Sequence, residues 1–354
     1  MYHGVINVYK EPGFTSHDVV AKLRGILRQK KIGHTGTLDP AAEGVLPVCL
    51  GQATRLCDLL TDKDKTYQAV LLLGRETDTQ DTTGRITAEY PVKVSEEDVR
   101  KAAASFLGDY MQLPPMYSAL KVDGKKLYDL ARQGKEVERQ PRKVRILEIS
   151  VDWVELPRVG LTVTCSKGTY IRTLCYDLGQ ALGCGGCMEH LKRTRVERFK
   201  AEDSLTLSQI EALRDEDRIP EILIPVEAMF DGPKAYAGEA ADHLVRNGNP
   251  VRTEDFSRIL FAGQDGAEKV ICGAAVGGAA SVNSVNSAVM IDCSAEGSGR
   301  KLTGAVRNEA AEEILPKDGL LRVYTKDGGF LGVYEFDAKR DWWKPKKMFP
   351  GVTE

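Results

Sequence analysis

Apolar and polar residues alternate along GVINVYK (4–10), the pattern of a strand with one buried face. Thr15-Ser16-His17-Asp18 then opens VVAKLRGIL, whose apolar positions recur at helical spacing, with Thr15 or Ser16 as the N-cap. VLPVCLG reads as a strand, ATRLCDLLTDK as a helix, TYQAVLLLG as a buried strand and RITAEY as a further strand. Ser95-Glu96-Glu97-Asp98 is a variant capping box ahead of the helical VRKAAASFLG. LYDLARQG is helical in pattern, VRILEISVDWVEL and RVGLTVTCSKGTYIR alternate strongly as strands, and TLCYDLGQALG is a short helix ending at glycine. Strands and helices mix without a regular βαβα beat. Residues 1 to about 230 therefore predict an α+β domain with a mixed, largely antiparallel sheet.

The pattern changes after residue 230. AADHLVRNGNPVRTEDF (240–256) and LLRVYTKDGGFLGVYEF (320–336) read as short helix and strand pieces of a small β-rich module. Between them, about 262–316, the chain is rich in Gly, Ala, Ser and Asn and has no aromatic residue. Such a segment buries little large apolar surface to offset its ordering entropy, so it is expected to be an insertion, flexible in part or in whole. Within it, VICGAAV (270–276) and SAVMID (287–292) are each a candidate short strand.

Composition adds limits. A length of 354 residues suggests two domains, and 42% apolar with 28% charged residues is ordinary for a globular protein. The longest apolar runs, such as AVLLLG (69–74), are too short to span a bilayer, and the N-terminal sequence lacks a signal-peptide pattern. A cytoplasmic protein with no membrane association is expected. The eight cysteines are scattered through apolar segments, which favours reduced thiols over a disulfide framework. Cys184-Gly-Gly-Cys187 has the spacing of a zinc half-site or redox pair, but no second CxxC or HxxxH follows and only His190 is near. A glycine-rich loop carrying thiols is the preferred reading, and no metal is expected.

A net charge of −2 and a pI near 6.3 argue against a general nucleic-acid coat. The charge is nevertheless unevenly spread. Lys121 to Arg145 holds nine basic residues against four acids, and Lys192 to Lys200 holds five against one. A solvated helix face is the ordinary explanation for such runs, but they also mark where a polyanion could sit.

The residues GHTGTLDPAAEG (33–44) combine three glycines, a proline and a single aspartate, Asp39, a poor composition for either a helix or a strand. A metal site would want more carboxylates or histidines than Glu43 supplies, and a glycosidase would need a second facing acid. An isolated, glycine-set aspartate suits covalent catalysis, provided a cation stabilises its ionised form. A plain turn is the competing reading of Leu38-Asp39-Pro40 taken alone.

The longer stretch GHTGTLDPAAEGVLPVCLGQATR (33–55) closely resembles the signature of the TruB-type tRNA pseudouridine synthases, whose bacterial members modify uridine 55 in the T arm. KEPGFTSHDVV (10–20), KTYQAVLLLGRETDTQDTTG (65–84), PPMYSALKVDGKKLYDLARQG (114–134) and CSKGTYIRTLCYDLGQALGCG (165–185) resemble the family's other motifs, in its order. One departure is Glu11, where many members have proline.

The resemblance implies a pseudouridine synthase catalytic domain over 1–230, containing an RNA-clamping insertion at about 113–145. A small PUA-like module over 231–354 would follow it. The implied chemistry is cofactor-free isomerisation of uridine: detachment at N1, rotation of the base, and joining of C5 to C1′. Asp39 would be the nucleophile and Arg172 the arginine paired with it. Tyr67 would stack on the base and relay a proton, Tyr170 and Leu191 would wall the uracil pocket, and His34 would meet the flipped nucleotide. RNA contacts are implied for Lys10, Lys121, Lys125, Lys126, Arg142 and Lys143. A uridine inside a folded T loop cannot be reached in place, so it must flip out. The partner implied is the T arm of tRNA, with a monomer as the default state. The alternative is a T-arm binder that helps tRNA fold independently of catalysis.

Overall fold

A computed structural model describes residues 1–118, 120–122, 124–135, 137–262, 268–272, 281–285, 288–292 and 319–351. The chain divides into two units. One comprises Ile6–Cys49 and Leu56–Ile222; the other comprises Met1–Val5, Leu50–Arg55 and Leu223–Glu354.

The first unit is built on strands β1 (Gly4–Lys10), β2 (Ile32–His34), β3 (Glu43–Leu50), β4 (Lys65–Leu73), β5 (Arg75–Thr77), β6 (Ile86–Glu89), β7 (Gly108–Gln112), β8 (Lys121–Val122), β9 (Lys125–Lys126), β10 (Arg142–Glu155), β11 (Arg158–Cys165), β12 (Gly186–Val196) and β13 (Phe199–Lys200). Its helices are α1 (Ser16–Ile26), α2 (Cys57–Thr61), α3 (Glu96–Ala104), α4 (Leu127–Arg132), α5 (Ile171–Ala181), α6 (Leu207–Asp215) and α7 (Ile219–Ile222). The main sheet runs β1-β3-β12-β4-β11-β10-β7, with β2 on β3 and β13 on β12. β12 lies parallel to β3, whereas the pairs β12–β4, β4–β11, β11–β10 and β10–β7 are antiparallel. The sheet is thus mixed and largely antiparallel, as the sequence pattern predicts.

Burial in β4 follows the period of two expected of a strand. Lys65, Tyr67, Ala69, Leu71 and Leu73 are buried, and the residues between them are less so. This face packs, with Leu161, Val163 and Leu191, against Val99 and Ala103 of α3 and against Leu174, Cys175 and Leu178 of α5. Leu38 and Ala42, on either side of Asp39, belong to the same core. Thr15, not Ser16, caps α1: its hydroxyl accepts the Asp18 N–H while Asp18 accepts the Thr15 N–H. Ser16 is left for another task. Among the described residues, no helix is long and apolar enough to cross a membrane.

The second unit adds β14 (Lys234–Ala237), α8 (Asp242–Arg246), β15 (Phe256–Ala262), β16 (Glu268–Cys272), β17 (Ser281–Val285), β18 (Ala288–Asp292), β19 (Leu320–Tyr324), β20 (Phe330–Asp337) and β21 (Trp342–Met348). Its sheet runs β17-β18-β16-β15-β14-β19-β20-β21 over a core of Val245, Phe256, Leu321, Val323, Tyr334 and Trp343. Parts of the 262–316 segment, including stretches of the candidate strands VICGAAV and SAVMID, form strands here. β16, β17 and β18 extend the sheet beyond β15, their VIC and AVMI runs supplying β-branched and apolar residues suited to strands. The rest of that segment lies outside the described residues.

Candidate active site

The loop from β2 to β3 carries Asp39. Gly36 and Gly44 adopt φ values of +148° and +107°, whereas Gly33 lies in β2. Gly44 marks the start of the parallel pairing of β3 with β12, where it partners Arg193. A Cβ at Gly44 would sit 2.2 Å from the Arg193 carbonyl oxygen, so only glycine fits there.

The segment after β1 clasps this loop. Lys10 Nζ donates to the carbonyls of Glu11, Pro40 and Ala42 at 3.1, 3.1 and 2.5 Å, and Gly13 N–H donates to Pro40 O at 2.9 Å. Ser16 Oγ accepts the Leu38 N–H at 2.9 Å. The residues of KEPGFTSHDVV that looked chemical are thus fasteners. Lys10, expected among the RNA contacts, is 0% exposed and presents no charge at the surface. Burial lowers its pKa to about 8, with the Asp39 charge opposing and Arg193 assisting the shift.

Arg172 sits in the first turn of α5 and is 5% exposed; the Asp39 side chain is 35% exposed. Its Nε and Nη2 reach Asp39 Oδ2 and Oδ1 at 2.8 and 3.1 Å, a two-pronged contact with both carboxylate oxygens. The remaining donors are held: Nη1 by Thr79 O at 3.0 Å and Nη2 by Tyr117 O at 2.8 Å. Asp81 Oδ2 lies 3.8 Å from Nε. The other Asp81 oxygen accepts Thr83 N–H and the Thr79 hydroxyl, at 3.0 and 2.7 Å. Reciprocal backbone bonds, Thr82 N to Met188 O and Met188 N to Gln80 O, fasten this turn to β12. Two of the motif blocks therefore exist to fix one guanidinium.

Tyr67 and Leu191 are buried beside the loop in the same core as Leu38. Burial raises the Tyr67 pKa, and the nearby Arg193 charge opposes that rise. Tyr170, half-buried, is the N-terminal flanking residue of α5. Gln112 of β7 grips its backbone from both sides, accepting Tyr170 N–H at 2.7 Å and donating to Tyr170 O at 3.0 Å. Burial raises the Tyr170 phenol as well. His34 is half-buried, accepts the Gly36 N–H at 3.3 Å, and meets the His17 ring edge-on at 5.4 Å. Burial, His17 and Arg193 lower its pKa to about 4, so the imidazole is neutral at physiological pH.

The basic segment begins with a short hairpin in which Lys121 and Lys126 are register partners, as are Val122 and Lys125. α4 follows it directly. Lys125, Arg142 and Lys143 are exposed, and Lys143 Nζ pairs with Asp109 at 2.9 Å. The run 192–200 is less uniform than its charge suggests. Arg193 is 1% exposed and belongs to the core of the site, not to the surface. Sequence reasoning misses Gln112 and Arg193 as site residues. A basic residue at an inward position of an alternating strand, two residues after Leu191, is the available signal for Arg193. The Cys184 and Cys187 thiols are free and buried at the turn between α5 and β12.

The family model described as TruB family pseudouridylate synthase, N-terminal domain, matches residues 24–171. The model for the tRNA pseudouridylate synthase B C-terminal domain matches 172–231. tRNA pseudouridine synthase B of Lachnoclostridium phytofermentans is 43% identical over 98% of this chain and 99% of its own length. The protein of the same name from Alkaliphilus oremlandii is 47% identical over 70% of this chain and 83% of its own. Among solved structures, a Cbf5-Nop10-Gar1 complex superposes with a TM-score of 0.63 at 25% identity, covering 98% of this chain and 85% of that one. An H/ACA RNP bound to a substrate RNA containing 2′-deoxyuridine gives a TM-score of 0.62 at 23% identity, covering 99% and 86%, a likeness of fold.

Proposed function

Because the chain belongs to the TruB family of pseudouridylate synthases, isomerases that act on tRNA, we propose that it converts uridine 55 of the T loop to pseudouridine, with Asp39 as nucleophile. The observation that carries the assignment of Asp39 is its pairing with Arg172. A buried guanidinium, held by two carbonyls, contacts both oxygens of a carboxylate that remains about one-third exposed. Such a partner fixes and aims the carboxylate while leaving it open to a ligand.

The uridine flips out of the T loop and enters between Tyr67, Leu191 and Tyr170, where the aromatic rings replace the stacking it had in the RNA. Tyr67 takes part in moving the proton that C5 surrenders. His34, neutral, packs against the path by which the nucleotide leaves the RNA. Exposed cations of the 121–145 segment engage phosphates of the T arm, and 231–354 acts as a PUA-like RNA-binding module. No cofactor is needed, because the leaving base is also the nucleophile that returns to the sugar.

The test is pseudouridine mapping on an unmodified tRNA transcript with wild type and Asp39→Asn. The amide is isosteric but neither charged nor nucleophilic, so turnover should fall by many orders of magnitude while tRNA affinity stays within about threefold. Turnover within about tenfold of wild type, roughly 1.4 kcal/mol of barrier, would remove Asp39 from the chemistry. A protein that assists tRNA folding equally well in both forms would carry the chaperone role as a separate property.

A further inference from the structure

We propose that Arg193 is a positioning residue for the isomerisation, holding the backbone of the Asp39 loop beside Tyr67 so that the two act as one unit. This rests on the assignment of Tyr67 and Asp39 given above. Arg193 stands directly opposite Tyr67 across the β12–β4 pair, and both side chains are buried. Cross-strand partners on one face lie within side-chain reach of each other, and the Arg193 charge counters the rise that burial gives the Tyr67 pKa.

The remaining donors of Arg193 go to the loop. Nε donates to Val45 O at 2.7 Å, Nη2 to Gly36 O at 3.2 Å and Nη1 to Thr37 O at 3.5 Å. These carbonyls flank Asp39 on both sides, so the loop is wrapped around one guanidinium. Gly36 and Gly44 allow that wrapping: a Cβ at Gly36 would already touch Nη1 at 3.7 Å, and one at Gly44 would overlap the Arg193 backbone. A planar fork with five donors is suited to this, and an ammonium is not.

The site uses its two arginines differently. Arg172 contacts the Asp39 carboxylate itself, whereas Arg193 contacts the backbone frame that carries Asp39 and stands opposite the neighbouring Tyr67. The charged and titratable groups around the phenol are Arg193 from β12, Cys165 from β11 and Asp39 from the loop.

A double-mutant cycle tests this. Single-turnover rates at saturating enzyme and tRNA affinities would be measured for Arg193→Lys, Arg193→Gln, Tyr67→Phe and each combination, with thermal stability recorded in parallel. Each Arg193 substitution should lower the saturated rate by about 30-fold or more, with tRNA affinity within about threefold of wild type. Each double variant should fall short of the product of its two single effects by at least about tenfold, the mark of residues acting as a unit. Effects that simply multiply, or a normal rate in Arg193→Lys, would overturn the proposal. If Arg193→Gln fails to fold, the Arg193→Lys arm completes the same cycle. A normal rate in Tyr67→Phe would instead defeat the role given to Tyr67, an outcome distinct from independent effects at an essential Tyr67.

Discussion

At the scale of single residues, the site is a problem of holding one carboxylate in a fixed direction inside a partly dry pocket. Arg172 meets it directly, and two further cations, Lys10 and Arg193, are buried behind it with carbonyl oxygens as partners. Lys10 gives this arrangement a measurable signature. Its folded pKa is about 8 against the usual 10.5 for lysine, so between those values the unfolded chain holds a proton that the folded chain has released. The contribution of Lys10 to stability therefore rises with pH across that window, opposite in sign to a lysine that gains a salt bridge and to the buried thiols, whose pKa values are raised. Lys65, also lowered to about 8 by burial, contributes in the same sense. Lys10→Met should make the slope of urea-unfolding stability against pH between 8 and 10.5 less positive than that of the wild type, whatever it does to overall stability. An unchanged slope would mean that Lys10 is not desolvated as its geometry implies. This residue also marks a limit of sequence reading. A lysine beside a glycine-rich loop looks like a phosphate ligand, and only the three-dimensional path of Pro40 and Ala42 reveals it as a brace. Asp39 stands out by its isolation in a glycine-set loop, whereas Arg172 and Tyr67 are pointed to by the resemblance of their motifs to the family's. Arg193 is not legible, because in the sequence its charge counts as surface.

Elements explain why the motif blocks are long. The Asp39 loop is tied to the start of α1 by Ser16, and the turn after β5 is tied to β12 by Met188. Gln112 at the end of β7 grips the N-terminus of α5, so the edge strand sets where Arg172 begins. The sheet is legible from alternation, and the caps of α1 and α3 from Thr15 and Ser95. Order along the sheet is not, since non-local pairings such as β3 with β12 leave no periodic trace; Gly44 shows its reason only once Arg193 lies beside it. The basic segment allows a prediction at this scale. Lys125 and Arg142 are exposed, whereas Lys143 is partly neutralised by Asp109. Replacing Lys125 and Arg142 with alanine should flatten the plot of log affinity for tRNA against log salt by about 1.4 to 1.8, at roughly 0.7 to 0.9 for each phosphate no longer neutralised. Replacing Lys143 should change the slope less. Saturated turnover should hold in all of these, and an unchanged slope would place the RNA path on another surface.

At the scale of the whole molecule, the second unit raises the question of how much of it is needed. Its described core draws on β14, α8, β15, β19, β20 and β21. Those three strands occupy one end of the sheet, outside β15. Register shows how the chain could be rejoined without them. Leu260 and Arg322 both partner Lys234, one from each side, so they stand two strand spacings apart, about 10 Å. A linker of about four residues, reaching up to roughly 13 Å, spans that distance from the end of β15 to the start of β19. Deleting 263–318 and inserting a four-residue Gly/Ser linker should therefore leave cooperative unfolding intact and T-loop isomerisation at the wild-type rate. The deletion has one physical cost: β15 becomes a bare edge with unpaired backbone groups, so self-association should rise with concentration in sedimentation velocity. A shortened chain that unfolds without cooperativity would show that β16–β18 hold the second sheet together, not merely lengthen it. A folded but inactive one would tie that end of the sheet to the handling of tRNA.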